Sequence, residues 1–151
     1  GIVKTAIVSD STCLIGLERI QSLDVLSALF DPIVIPPEVN REFGVSFPWL
    51  AIETPLNQAF LTSLKLMVDD GEAEAIALAY EKGWQIILDD YHARKVAKRL
   101  GVTMIGTVGV LVQAKRHGII SALKPLLTQL EEYNFYISKE LKEEALSLVG
   151  E

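Results

Sequence analysis

Short, continuous apolar runs rich in β-branched residues alternate along this chain with longer stretches of helical periodicity, and that alternation leaves few folds open. The runs are residues 2–8, 33–35, 85–88 and 102–105, with a short edge element expected at 51–54. Apolar character that is continuous rather than every second residue marks a strand buried on both faces, as in a parallel sheet covered by helices on either side. Helices are predicted over residues 13–18, 22–29, 56–66, 72–82, 91–100, 107–116, 121–133 and 138–149. One more is expected to start at Glu38, where Pro36-Pro37 in the first turn loses no hydrogen bond. Asp31-Pro32 breaks the second helix, and Gly118 closes the one before it in the chain's last third. The pattern implies an α/β fold with three α/β/α layers and a central, mainly parallel sheet. At 151 residues the chain has room for a single core, so residues 1–151 are expected to form one domain.

Composition narrows the chemistry. A lone Cys13 supports no disulfide framework, and with His92 and His117 it falls short of a structural zinc site, so a reducing cytoplasmic setting is expected. No apolar stretch reaches the roughly 18 residues of a membrane span, and the first residues lack the pattern of an export signal. Half of the residues are hydrophobic, an excess that suggests a homodimer. The net charge of −6 conceals an uneven distribution. No Asp or Glu occurs between Tyr91 and Leu130, while Arg94, Lys95, Lys98, Arg99, Lys115, Arg116 and Lys124 all lie there. A basic segment and an acid-rich remainder leave room for a local anion site on an acidic protein.

Two of the apolar runs end in acid: Ile7-Val8-Ser9-Asp10 and Ile86-Ile87-Leu88-Asp89-Asp90. In open parallel sheets, sites form beyond the carboxyl ends of the strands, which is where these residues would stand. Asp10 and Asp90 also suit helix N-caps. At 100° per residue, Glu72 shares a face with Ala75, Ile76 and Ala79 and is expected to point inward; Glu74 falls with Ala77 and Glu81 and is expected at the surface. Asp69, three residues before Glu72, makes a capping box the competing explanation for that acid. Glu38 fits the first turn of its helix, whereas Glu42, beside Val39 and Phe43, is less easily explained as a dipole partner. Unit charges about 4 Å apart repel by roughly 4 kcal/mol at an effective dielectric of 20, so clustered carboxylates need either protons or a cation. Oxygen ligands without His or Cys favour Mg²⁺ or Mn²⁺, and such ions suit phosphodiester hydrolysis.

Taken in order, Ile7-Val8-Ser9-Asp10-Ser11-Thr12, Pro37-Glu38-Val39-Asn40-Arg41-Glu42, Gly71-Glu72-Ala73-Glu74-Ala75-Ile76-Ala77-Leu78-Ala79 and Leu88-Asp89-Asp90-Tyr91-His92-Ala93-Arg94 resemble the PIN-domain nucleases, in particular the prokaryotic branch that includes VapC-type toxins. The likeness extends through Gly106-Thr107-Val108-Gly109-Val110-Leu111 and the last helices. It implies a metal-dependent ribonuclease whose acidic cluster corresponds to Asp10, Glu42, Glu72 and either Asp89 or Asp90. This chain departs from the family in having Leu88 where a Thr is frequent, and Glu72 where many members have Asp. The resemblance also implies dimerisation and an antitoxin protein that blocks the site.

The basic helix that follows Asp89-Asp90 is then a candidate for holding RNA. Arg94 with Lys98, and Lys95 with Arg99, are i,i+4 pairs on its outer side, and Arg94 is near enough to the acids to pair with one of them. Ser11 and Thr12 are candidates for positioning a water or a phosphate oxygen, or for capping the first helix. Two other functions are weighed against the ribonuclease. One is a catalytically inactive PIN-like module that binds RNA or protein. The other is a phosphatase working through an aspartyl phosphate at Asp10, disfavoured because Thr12 stands where that chemistry places a second Asp.

Overall fold

The computed structural model describes residues 2–151; Gly1, the first residue of the expected domain, lies outside them. Five strands form one sheet: β1 (Thr5–Ser9), β2 (Phe30–Ile35), β3 (Leu50–Ile52), β4 (Gln85–Ile87) and β5 (Met104–Ile105). Their order is β3-β2-β1-β4-β5, and every pairing is parallel. Around the sheet lie α1 (Ser11–Arg19), α2 (Asp24–Leu29), α3 (Pro37–Phe43), α4 (Gln58–Lys65), α5 (Asp70–Lys82), α6 (Tyr91–Arg99), α7 (Thr107–Arg116), α8 (Lys124–Glu132) and α9 (Lys139–Leu148). The fold is the expected three-layer α/β/α arrangement, with an entirely parallel sheet.

The three inner strands are buried at their carboxyl-terminal ends. Ile7 and Val8 of β1, Ile33, Val34 and Ile35 of β2, and Ile86 and Ile87 of β4 are all sealed from solvent, which explains why these segments read as unbroken apolar runs. Three strands differ most from expectation. β1 runs over Thr5–Ser9 rather than residues 2–8. β2 begins at Phe30, because Phe30 pairs with Thr5 and draws Asp31 and Pro32 into the strand. β5 is cut to Met104 and Ile105, since an edge strand has only β4 to bond and its first residues have no second partner.

α5 is the most enclosed helix of the site half. It packs against α3 and α4 on one side and against β1 and β4 on the other, and Ala73 and Ala75 through Ala79 are buried nearly all round. Small side chains make that possible: alanine allows the helix to lie close to the sheet and to α3 at once. Gly83, in the left-handed conformation at φ 68°, ends it, as a residue without Cβ does most easily.

Helix α1 presents Leu14 and Leu17 to the same core, both fully buried. Leu14→Ala is expected to lower the unfolding free energy by about 2–5 kcal/mol in urea titrations, through lost burial and a residual cavity; a change under about 1 kcal/mol would contradict this packing.

Candidate active site

The chain leaves β1 for β2 and β3 on one side of the sheet, then returns to β4 and β5 on the other. The connections therefore diverge between β1 and β4, and a crevice forms beyond the carboxyl ends of those two strands. Asp10 follows β1, and Asp89 follows β4. Ser9 is in register with Ile87, and the Asp10 amide donates to the Ile87 carbonyl at 3.1 Å. The strand pairing itself thus sets the two acids side by side.

Asp10 is 4% exposed. Its Oδ1 accepts the Cys13 amide at 3.0 Å, making it the N-cap of α1, and its Oδ2 accepts the Asp89 amide at 3.3 Å. Burial pushes its carboxyl well above the usual range, the charge of Asp89 adds to that, and the Cys13 and Asp89 amides oppose it; Glu72 makes a smaller contribution upward. Asp89 accepts twice from Thr107, from the amide at 2.9 Å and from the hydroxyl at 2.6 Å. Burial raises its pKa, while the Thr107 bonds and the Arg94 charge pull it down.

Asp90, one peptide further on, does something else. It is exposed and caps α6 by accepting the Ala93 amide at 2.9 Å. The two candidates at this strand end are therefore distinct in the fold: Asp89 faces Asp10, and Asp90 starts the basic helix.

Glu72 is half-buried and forms the capping box with Asp69: its amide donates to Asp69 at 2.8 Å, and its carboxylate accepts the Asp69 amide at 3.3 Å. Burial, with the charges of Asp69 and Asp90, pushes its pKa up to about 7. Glu42 accepts the Ser11 hydroxyl at 3.1 Å and has its pKa raised by partial burial, against the Ser11 bond. A Cβ on Gly71 would collide with the Glu42 carboxylate, so a glycine at the start of α5 is what admits this acid. Glu74 corrects the surface expectation. It is half-buried, and its carboxylate accepts the Glu38 amide at 3.1 Å, supplying the N-terminus of α3 with an acceptor that Pro36 lacks. The helical wheel missed this because α5 is enclosed on two sides, so its "outer" face meets α3. Glu38 is held below the usual carboxylate range by Arg41, with which it pairs.

The remaining candidates divide clearly. Ser11 serves Glu42, Thr12 lines a cleft beside Asp89, and the cap of α1 is Asp10 rather than either hydroxyl. Arg94 makes no ion pair with the acids; its Nη1 donates to the Leu88 carbonyl at 2.7 Å, which holds the guanidinium beside the Asp89 strand end. Arg94, Lys95, Lys98 and Arg99 together line a shallow cleft of about 530 Å³ with Tyr91 and Met104. His92 turns away to the Met67 carbonyl at 2.8 Å. Thr107 and Gly71 escaped the sequence reading as site residues. The available signals were a hydroxyl residue opening a helix just after a strand, and a glycine inside Asp-Asp-Gly-Glu.

A family model, DUF3368, described as a PIN domain, matches residues 6–151. The chain belongs to the PIN-domain family. PIN domains are generally nucleases and generally use divalent metal ions. Similar in structure is a PilT N-terminus domain protein, SSO1118, from the hyperthermophilic archaeon Sulfolobus solfataricus P2, with 17% identity, 73% of this chain and 92% of that chain covered, and a TM-score of 0.45. So loose a likeness says nothing of the site. Among curated proteins there is no match, and no helix of the described residues is long and apolar enough to cross a membrane.

Within this PIN domain, the chemistry of the acids fits a hard cation. Every candidate donor is a carboxylate oxygen, and Asp10, Asp89, Glu72 and Glu42 all have pKa values raised chiefly by burial, an environment in which a cation would offset the cost of ionisation. Among the described residues, no three His, Cys, Asp or Glu side chains are gathered closely enough to hold an ion as they stand. Asp10 and Asp89 are the built part, and Glu72 and Glu42 are anchored to Asp69 and Ser11.

A pH dependence follows from these shifts. A carboxyl with a raised folded pKa binds more protons in the native state than in the unfolded chain, so stability declines as pH rises through the interval between the two values. For Glu72 that interval runs from 4.5 to about 7, and for Asp10 it begins at 3.8. Glu38 and Glu151, whose values are lowered, add their stability in full above 4.5 and do not counteract the trend. The metal-free melting temperature is expected to fall between about pH 5 and about pH 8, and Mn²⁺ to raise it more at the upper pH. A melting temperature that climbs over that range without metal would contradict the reading of the site.

Proposed function

We propose that this PIN domain is a Mg²⁺- or Mn²⁺-dependent endoribonuclease of the VapC toxin type. The observation that carries the proposal is the juxtaposition of Asp10 and Asp89 at the sheet's switch point, with burial opposing their ionisation and a cationic helix starting two residues later. Asp10, Asp89, Glu72 and Glu42 would hold the ion, with Asp90 at the rim. A divalent cation bound there supplies Lewis-acid stabilisation of the phosphate and of the leaving oxygen.

The chain's own groups prepare that site. The Cys13 and Asp89 amides fix both oxygens of Asp10, and Thr107 fixes both oxygens of Asp89, so neither carboxylate loses rotational freedom on binding. Thr107 and the Leu88 carbonyl together keep Asp89 and Arg94 on one edge. Arg94, Lys95, Lys98 and Arg99 attract the phosphate backbone without reading base sequence. An antitoxin protein that covers the acids comes with the family resemblance, and a cytoplasmic setting with the lone Cys13. A homodimer comes with the same resemblance and with the apolar excess of the sequence.

A second reading, a PIN-like module that binds RNA without cutting it, is favoured by the absence of three converging ligands among the described residues. Calorimetric titration with Mn²⁺ separates the two, since saturable binding is expected only for the nuclease.

Asp10→Asn keeps the Cys13 cap through its amide oxygen and removes a buried charge, but loses the acceptor that Oδ2 offers the Asp89 amide, so its metal-free stability should stay within about 2 kcal/mol of the parent's. Its cleavage of single-stranded RNA in Mn²⁺ is expected to drop by about a hundred-fold or more, and Asp89→Asn to behave alike. Undiminished cleavage by both, or cleavage by the parent in EDTA, would sink the proposal. Gly71→Ala removes no functional group but displaces the Glu42 carboxylate. Weaker Mn²⁺ binding is expected, with stability changed by no more than about 1 kcal/mol because alanine favours the helix; Mn²⁺ affinity equal to the parent's would remove Glu42 from the ligand set.

A further inference from the structure

A cleft of about 790 Å³ opens beside the acids and has a character that the nuclease chemistry alone does not require. Asp89, Asp90 and Arg94 form part of its wall, and Arg19, at the end of α1, stands in another part. The remaining side is the link between α8 and α9. There Tyr133 caps α8, Asn134 takes a left-handed conformation at φ 65°, and the Phe135 amide returns to the Leu130 carbonyl at 3.0 Å. Asn tolerates that backbone better than most residues. The turn drives Phe135 down against Gly16, where a Cβ would already lie 3.4 Å from its ring, and leaves the next residue, Tyr136, 85% exposed in the cleft wall.

Three tyrosines thus face one cleft. Tyr91 is 76% exposed, and Tyr133 lies under the Arg19 guanidinium at 5.9 Å. Among the described residues, neither Arg19 nor Arg94 has a carboxylate within ion-pair distance. An exposed tyrosine, Tyr136, beside two others that lie under the Arg19 and Lys95 cations at 5.9 and 5.4 Å, suits a base that stacks and phosphates that follow it, and a base presents such a face only when it is unpaired. Tyr91 and Arg94 also line the smaller basic cleft on α6, so the aromatic cleft and the cationic one share a boundary. A strand bound along both would pass Asp89.

We propose that the cleft between α1 and the α8–α9 link is a subsite for unpaired nucleotides flanking the cut, with a base stacked on Tyr136 and phosphates held by Arg19 and Arg94. The assignment rests on the ribonuclease reading and adds to it the residues that hold the strand beside the cut, Tyr136 against a base and Arg19 and Arg94 on phosphates. Arg19 and Tyr136 act in binding and positioning, away from the acids.

The test uses the full chain carrying Asp10→Asn in Mn²⁺, with a short fluorescein-labelled single-stranded RNA and the same strand annealed to its complement. Anisotropy should show the single strand bound more tightly than the duplex. Tyr136→Ala should weaken single-strand binding about ten-fold or more, and Tyr136→Phe should restore it, with the melting temperature unchanged in both because the side chain is exposed. Arg19→Ala should weaken binding and reduce the salt slope by roughly 0.7. Equal affinity for single strand and duplex, or parent-like binding by both Tyr136→Ala and Arg19→Ala, overturns the subsite. So does a cleft that takes an acidic peptide and not the RNA. Cleavage assays on the Asp10-containing parent keep the two ideas apart. If the parent cuts RNA and Tyr136→Ala neither binds nor cuts it differently, the subsite fails alone. If the parent never cuts but Tyr136-dependent binding is seen, cleavage fails and the subsite stands.

Discussion

The parallel pairing of β1 with β4 is the constraint on which this molecule turns. With Ser9 opposite Ile87, Asp10, the first residue beyond β1, and Asp89, the second beyond β4, are brought to the same edge, and both are acids. Two carboxylates in a buried crevice repel each other and resist ionisation, and the surrounding structure answers by fixing them. The Cys13 amide, the Asp89 amide and both donors of Thr107 are spent on Asp10 and Asp89. The start of α1 and the start of α7 are therefore tied to the site by hydrogen bonds, in addition to their packing on the sheet.

The outer acids are held by a different logic, that of helix ends. Glu72 closes the capping box of α5, Glu74 receives the first amide of α3, and Asp90 begins α6. Each has a structural partner, yet Glu72 and Asp90 also raise the negative potential felt at the crevice. Capping and charge concentration are compatible here because helix N-termini favour anions, so the fold can gather acids at one edge at lower cost than an apolar surface could. Gly71 shows the steric side of the same problem: the approach of Glu42 is possible only where α5 has no side chain.

The architecture was legible in the sequence because unbroken β-branched runs have few other uses, and the site half was legible because two of those runs end in Asp. What the residues alone left open concerned direction. Asp89 and Asp90 are neighbours with the same chemistry, and only the position of Thr107 after β5 shows which of them faces Asp10. Glu74 looked solvated by helical periodicity, which presumes a helix with one buried face; α5 has two. The tyrosine cleft had no sequence signal at all, since Tyr133 and Tyr136 lie far along the chain from Arg19 and meet it only when α8 packs on α1.

By itself, then, the sequence determined the layer order, the strands' burial and the identity of the acids, because these follow from local periodicity and from what a strand end can carry. Tertiary structure decided which carboxylates meet, which serve helix ends, and that a basic helix and an aromatic turn border the same crevice. Those outcomes depend on strand register and helix packing, and both arise from contacts between residues distant in the chain.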